Sequence, residues 1–246
     1  MSPTVVVHPD ADTLAAAAAA RLITRIVDLQ VGGGVPRIAL AGGGVAIQML
    51  AQVRTSPAQA AIDWSRVELY WGDERFVAPD DPERNELQAR EALLNHVPVD
   101  PAKVFPMGAA TGGSAEDAAA AYAEVLAKAA GGSGVPAFDV LLLGMGGEGH
   151  TLSVFPDSPA VHETEPGVVA VHDCPKPPPT RISLTLPAAR AAAEVWIVSA
   201  GEAKADAVTA ALGGASEVEI PVAGATGRER TLWLLDTASA AKLPRT

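Results

Sequence analysis

The sequence predicts an α/β fold: a doubly wound, mostly parallel sheet with helices on both faces. Two observations predict it. Short continuous apolar runs recur along the chain, and alanine-rich stretches of helical length lie between most of them. Strands covered on both faces lose the in–out alternation of a half-solvated sheet. Uninterrupted apolar runs separated by helices therefore point to parallel pairing through helical crossovers.

Taken in order, "TVVVH" (4–8) is the first strand and a helix over 10–31 follows it. Asp10 is placed to cap that helix, with Thr13 at the third helical position instead of the Glu of a full capping box. "RIALA" (37–41) runs into Gly42, Gly43 and Gly44, then a helix at about 45–54. "VELYW" (67–71) ends in Gly72, Asp73, Glu74 and Arg75, and a helix spans 84–95. Ser114, with Glu116 and Asp117 behind it, sets an oxygen cap and two acids at the positive end of a helix over 114–130. The stretch "GGSG" stops that helix. "FDVLLL" (138–143), "VVAVH" (168–172), "EVWIVSA" (194–200) and "TLWLLD" (231–236) complete the strands, with a helix at 202–212 before the last. "CPKPPPT" (174–180) reads as a rigid extended segment, not a boundary. No internal repeat or long linker interrupts the pattern, so residues 1–246 are read as one domain.

A chain of 246 residues buries a core without needing disulfides or metals. Its one cysteine, Cys174, leaves no internal disulfide and no multi-cysteine zinc cage, which fits a reducing compartment. The start "MSPTVVVHPD" has no basic flank, and the alanine run that follows is weakly apolar and close to Arg21 and Arg25. Neither a signal peptide nor a membrane span is expected. The net charge of −11 repels nucleic acid and anionic membranes, so a cytoplasmic protein with neither partner is the expectation. An anionic metabolite would need a local basic pocket. No arginine occurs between Arg90 and Arg181, so the cations available to build one are few.

Three strand ends carry candidate chemistry. Gly144, Gly146 and Gly149 spell G-x-G-x-x-G after an apolar run, but only "HTLSVF" separates Gly149 from Pro156, and Pro159 follows. A dinucleotide fold needs a long helix at that point, and two prolines forbid it. The same stretch makes sense as a loop beyond a strand's carboxyl end, where glycines let backbone N–H groups approach an anion and His150 faces a ligand. The alternative is a histidine that only caps local backbone.

Gly42, Gly43 and Gly44 stand at a strand–helix junction, either as a phosphate cradle or as a tight turn; no G-K-[ST] makes it a P-loop. At the third strand end, Arg75 is suited to stabilise charge developing on a carbonyl oxygen. Asp73 there would orient a histidine or hydrogen-bond a substrate hydroxyl, unless the three charges are only a solvated loop. Asn85, at a helix start, is a cap or a substrate contact. Arg181 follows the proline run. Lys204 lies in a helical first turn, where it opposes the helix dipole unless an anion binds. A serine-hydrolase elbow and H-E-x-x-H are both absent, and the five histidines are scattered, which points to metal-free chemistry resting on His150, acids and Arg75.

In order and spacing, "WGDERFV", "RNELQAREALLNHV", "LLLGMGGEGHTLSVFP" and "PPTRISLTLP" resemble the 6-phosphogluconolactonases, within a superfamily that includes the glucosamine-6-phosphate deaminases. The resemblance covers nearly the whole chain. It implies a modified Rossmann-like sheet of the sugar-phosphate isomerase/deaminase type. It also implies hydrolysis of 6-phospho-D-glucono-1,5-lactone to 6-phosphogluconate in the oxidative pentose phosphate pathway, with a sugar-phosphate lactone as the partner and no metal or organic cofactor. His150 would be the general base, Arg75 a substrate contact, and Arg181 and Lys204 with Gly42–Gly44 the phosphate site. Gly146 belongs to the same matched loop. Two departures stand out: Glu148 replaces the family's usual Asp, and Ala41-Gly42-Gly43-Gly44-Val45 replaces S-G-G-S-T, so the loop hydroxyls are gone. An amino-sugar phosphate deaminase using Asp73, or a sugar-phosphate sensor, are the rival readings. The sensor lacks the room it would need for a helix-turn-helix.

Overall fold

A computed structural model describes residues 2–244. Six parallel strands form the main sheet, in the order β1 (Thr4–His8), β9 (Arg230–Asp236), β8 (Glu194–Ser199), β5 (Val140–Leu143), β2 (Arg37–Leu40) and β3 (Glu68–Trp71). The central strand β5, "VLLL", is buried at every position, whereas the edge strand β1 leaves Val5 and Val7 exposed. That contrast is why β5 reads as an unbroken apolar run.

Helix α1 (Ala11–Val31) buries Leu14, Ala18, Leu22 and Ile26, a spacing of four that makes one apolar stripe. Asp10 caps it by accepting from the Thr13 N–H at 2.7 Å. Helix α2 (Gly44–Thr55) packs against α1, and α3 (Asn85–Ala92) packs against α2. Helix α4 (Ala115–Ala129) starts with a full capping box in which Ser114 and Asp117 satisfy each other's backbone. Its Tyr122 hydroxyl bridges the N–H and C=O of Trp71, which ties α4 to the end of β3. The short α5 (Leu186–Arg190) and α6 (Ala205–Leu212) complete the helices. Among the described residues, no helix is long and apolar enough to cross a membrane.

Three runs depart from the sequence reading. β4 (Asp73–Arg75), β7 (Arg181–Leu184) and β6 (Val168–Val171) form a separate antiparallel sheet in the order β4-β7-β6. Residues 168–172 are therefore not part of the parallel sheet, and Asp73–Arg75 are strand, not loop. Parallel pairing of β6 with β7 would need a helical crossover, and the proline segment between them is too short to supply one. The expected helix at 84–95 ends at Ala92 and gives way to a 3-10 turn, Leu94–His96. The one expected at 202–212 starts with a 3-10 turn, Glu202–Lys204, before α6.

In the main sheet the chain moves outward from β2 to β3, then returns to place β5 on the other side of β2. That reversal makes β2/β5 the switch point, where open α/β sheets form a crevice beyond the strand ends.

Candidate active site

A cavity of about 390 Å³ occupies that crevice. Gly42, Gly43 and Gly44 line it from the end of β2, His150 from the loop after β5, and Lys204 from the turn after β8. Asp73 and Arg75 of β4, Arg181 of β7 and Asn85 of α3 complete the polar wall. Nine of the eleven residues singled out from the sequence thus meet in one place. Glu148 and Gly146 do not line it; they stand behind His150.

His150 Nδ1 lies 2.6 Å from Glu148 Oε1. A carboxylate can only accept, so Nδ1 carries the proton and Nε2 keeps its lone pair. The imidazole stacks on Phe155 at 4.4 Å. Burial pushes its pKa below the ordinary 6.5; Glu148 pulls upward, Lys176 downward and Asp73 upward. The ring is therefore neutral at neutral pH. For Glu148, burial would raise the carboxyl, but hydrogen bonds from Lys176 and His150 hold it at about 2. The second oxygen, Oε2, receives the Lys176 ammonium at 2.6 Å. Gly146 explains itself here: a Cβ on it would sit 2.1 Å from His150 Nδ1, so the pair exists only over a glycine. The absence of a side chain there leaves space for the dyad.

Asp73 does not orient His150. It is nearly buried, and its Oδ2 accepts from Ser153 Oγ at 2.7 Å; Glu148 has the position that orients the ring. Asn85 does not cap α3 with its side chain either. Glu74, fully buried, accepts from the N–H groups of Asn85 and Glu86 at 2.7 and 2.9 Å and from its neighbour Arg75 at 2.8 Å. Burial pushes the Glu74 carboxyl upward, against the pull of Arg84 and those three donors. With the helix end satisfied, Asn85 donates Nδ2 to the Asp73 carbonyl, and its Oδ1 has no partner among the described residues. That buried acceptor stands beside the first glycine loop, where a Cβ on Gly42 would come within 1.8 Å of it.

Arg75 and Arg181 are directly opposed in the β4–β7 ladder. Like charges paired across strands are destabilising unless an anion lies between them. Arg75 donates one nitrogen to the Glu83 carbonyl, and its Nε has no partner among the described residues. Arg181 is mostly occupied: Nε donates to Pro178 O at 3.1 Å, and Nη2 to Lys176 O at 3.0 Å and Pro177 O at 3.3 Å. It also lies 5.7 Å over the Phe155 ring. Lys204 ends the 3-10 turn before α6 and stands at the N-cap of that helix, not inside its first turn as the sequence suggested. Burial lowers its pKa, Lys176 adds to that, and Glu148 opposes. The free N–H groups of α2 behind Gly43, which has no side-chain cap, supply a further anion-stabilising element.

Sequence reasoning missed Lys176, Phe155, Ser153 and Glu74. Lys176 was the one legible signal, because a lysine between prolines in an arginine-poor half of the chain belongs to the short roster of available cations. Among the described residues, no group of three or more His, Cys, Asp or Glu side chains is placed to hold a metal ion.

Fold and cavity define the class: an open-sheet α/β protein with a cation-lined polar cavity at its switch point and a carboxylate-oriented histidine on the wall. The profile described as glucosamine-6-phosphate isomerases/6-phosphogluconolactonase matches residues 9–233. The chain belongs to that family. A 6-phosphogluconolactonase of Streptomyces coelicolor is 56% identical over 250 residues, covering 99% of this chain and 96% of that protein. One from Mycobacterium tuberculosis is 53% identical over 248 residues, covering 99% of this chain and all of that protein. The solved structure of a 6-phosphogluconolactonase from Trypanosoma brucei superposes with a TM-score of 0.84 at 29% identity, covering 99% of each chain.

Proposed function

We propose that this chain, acting as one domain, is a 6-phosphogluconolactonase that opens 6-phospho-D-glucono-1,5-lactone with His150 as general base and without a metal. The observation that carries the mechanism is the 2.6 Å contact from His150 Nδ1 to Glu148, which leaves Nε2 basic on the wall of a cavity that also holds Arg75.

His150 Nε2 takes a proton from water as the water oxygen bonds to C1 of the lactone. The carbonyl π electrons move to oxygen, and Arg75, with an unpartnered Nε, stabilises that oxyanion. Collapse re-forms the carbonyl and breaks the bond from C1 to the ring oxygen. The imidazolium returns its proton to the departing oxygen. The acid formed ionises to give 6-phosphogluconate. Base catalysis contributes roughly 10²–10⁴-fold and an oxyanion donor roughly 10²–10³-fold. Lys204, the α2 N-terminus and the free nitrogen of Arg181 hold the phosphate, and that remote grip orients C1 over the water. The lactone is a reactive ester, so no covalent nucleophile is needed.

The test is the rate of disappearance of freshly generated 6-phosphogluconolactone above its spontaneous hydrolysis, with and without a chelator, beside an assay for ammonia from glucosamine 6-phosphate. Fast, chelator-insensitive lactone loss and no ammonia are expected. Ammonia release, or a lactone rate equal to the spontaneous one, would sink the assignment; loss of activity with chelator would remove its metal-free part.

A further inference from the structure

The segment Cys174–Thr180 touches the reacting histidine only through a relay. Prolines at 175, 177, 178 and 179 restrict its backbone, and the Cys174 N–H closes it on the Pro179 carbonyl at 2.9 Å. Arg181 then grips three consecutive carbonyls, those of Lys176, Pro177 and Pro178. What this rigid strap presents is the Lys176 ammonium, 2.6 Å from Glu148 Oε2, while the other oxygen of that carboxylate holds His150 at 2.6 Å. Lys176 does not line the cavity, although Lys204, Arg75 and Arg181 do. It therefore meets the imidazole through Glu148 and not across the cavity. The ammonium and carboxylate are 45% and 35% exposed, and solvent screening leaves an ion pair so wet with little effect on stability. Fold stability is a poor reason for building a proline strap around it.

We propose that Lys176 is a positioning residue: the proline strap, pinned by Arg181, uses it to lock the Glu148 carboxylate in the one rotation that orients His150. This rests on the reading of His150 as general base. Glu148 reaches His150 on a flexible two-methylene arm, so its carboxylate needs a second partner to fix its plane, and Lys176 supplies it. The charged groups that act on the imidazole are Glu148, Lys176 and Asp73; Lys204 faces Lys176 and Glu148 from the turn before α6. Without Lys176 the Glu148 carboxylate loses its fixed plane but keeps its charge and its place two residues before His150, so its through-space pull persists while the Lys176 repulsion is gone, and His150 titrates at higher pH.

The experiment compares Lys176→Met, Lys176→Gln and Lys176→Arg with the parent by lactone kinetics across pH and by NMR titration of the His150 ring. Expected for Met and Gln is a kcat reduced about tenfold, a KM within about twofold, an acid limb moved to higher pH and a matching upward shift of the His150 resonance, with Arg restoring most of the loss. A kcat within about twofold of the parent, an unmoved His150 titration, or a change confined to KM would overturn the proposal, the last by making Lys176 a substrate contact. The NMR arm reads His150 without catalysis. A fully active His150→Ala enzyme would therefore defeat the general-base reading, while an inactive one beside parent-like Lys176 variants would defeat only this inference.

Discussion

The parallel sheet reaches the cavity through the turns at its strand ends: the glycine turn after β2, the histidine loop after β5 and the lysine turn after β8. The small antiparallel sheet reaches it through the strands themselves, with Asp73 and Arg75 on β4 and Arg181 on β7. In the first region the chemistry sits at positions that local punctuation sets, since a glycine-rich stretch must end an apolar run. In the second, cross-strand register decides it. Placing Arg75 opposite Arg181 concentrates positive charge in a chain of net charge −11. The difference teaches that the glycine turns and the carboxylate-paired histidine come from the large sheet, and most of the fixed positive charge from the small one.

That division can be broken or sharpened by substitution. His150→Ala, in the large-sheet loop, is expected to have the largest effect, lowering kcat roughly 10²–10⁴-fold with 6-phosphogluconate binding retained; calorimetric titration with that product checks the second half. Arg75→Ala, on the small sheet, should lower kcat roughly 10²–10³-fold. If its loss instead fell wholly on KM in steady-state kinetics, Arg75 would be a phosphate ligand and the small sheet would bind only. Lys204→Ala should raise KM roughly tenfold or more, the worth of a charge-assisted hydrogen bond, and lower kcat less; an unchanged KM would take the phosphate away from the large sheet.

The smallest effect is in the pH profile. Burial holds the His150 pKa below 6.5, and the base must be neutral, so activity is present above that depressed pKa and lost as pH falls through it. A plot of kcat/KM against pH should have the midpoint of its acid limb below pH 6.5. Glu148→Gln removes a charge that raises the His150 pKa, so its acid limb should move to still lower pH, opposite in direction to the Lys176 variants. An acid limb that stays put in Glu148→Gln would mean that the carboxylate does not act on the ring.

Much of the fold was legible. The strands of the parallel sheet and the caps at Asp10 and Ser114 arise from apolar runs and capping chemistry acting over a few residues. The antiparallel sheet was not: β6 reads as one more apolar run and β4 and β7 as polar segments, and which strands pair, and in which direction, is set by contacts between distant parts of the chain and not by local pattern. At the site, His150, Lys204 and the glycine loops could be placed from strand ends alone. The division of labour among the acids could not. Asp73 and Glu148 both looked able to orient a histidine, and Glu74 looked like one more loop charge.

The sequence by itself determined which groups this protein possesses: a loop histidine with an acid two residues before it, glycine turns that free backbone N–H groups, and a handful of cations. Those depend on contacts within a few residues, where torsional preference and apolar patterning suffice. Only the tertiary structure decided that Glu148 and not Asp73 holds the imidazole, that Glu74 caps α3 and leaves the Asn85 carbonyl free, and that a lysine on the proline strap completes the dyad. The Glu74–Asn85, Asp73–Ser153 and Glu148–Lys176 pairings join residues from 11 to 80 positions apart, and burial and register select among partners that the linear chain leaves equally available.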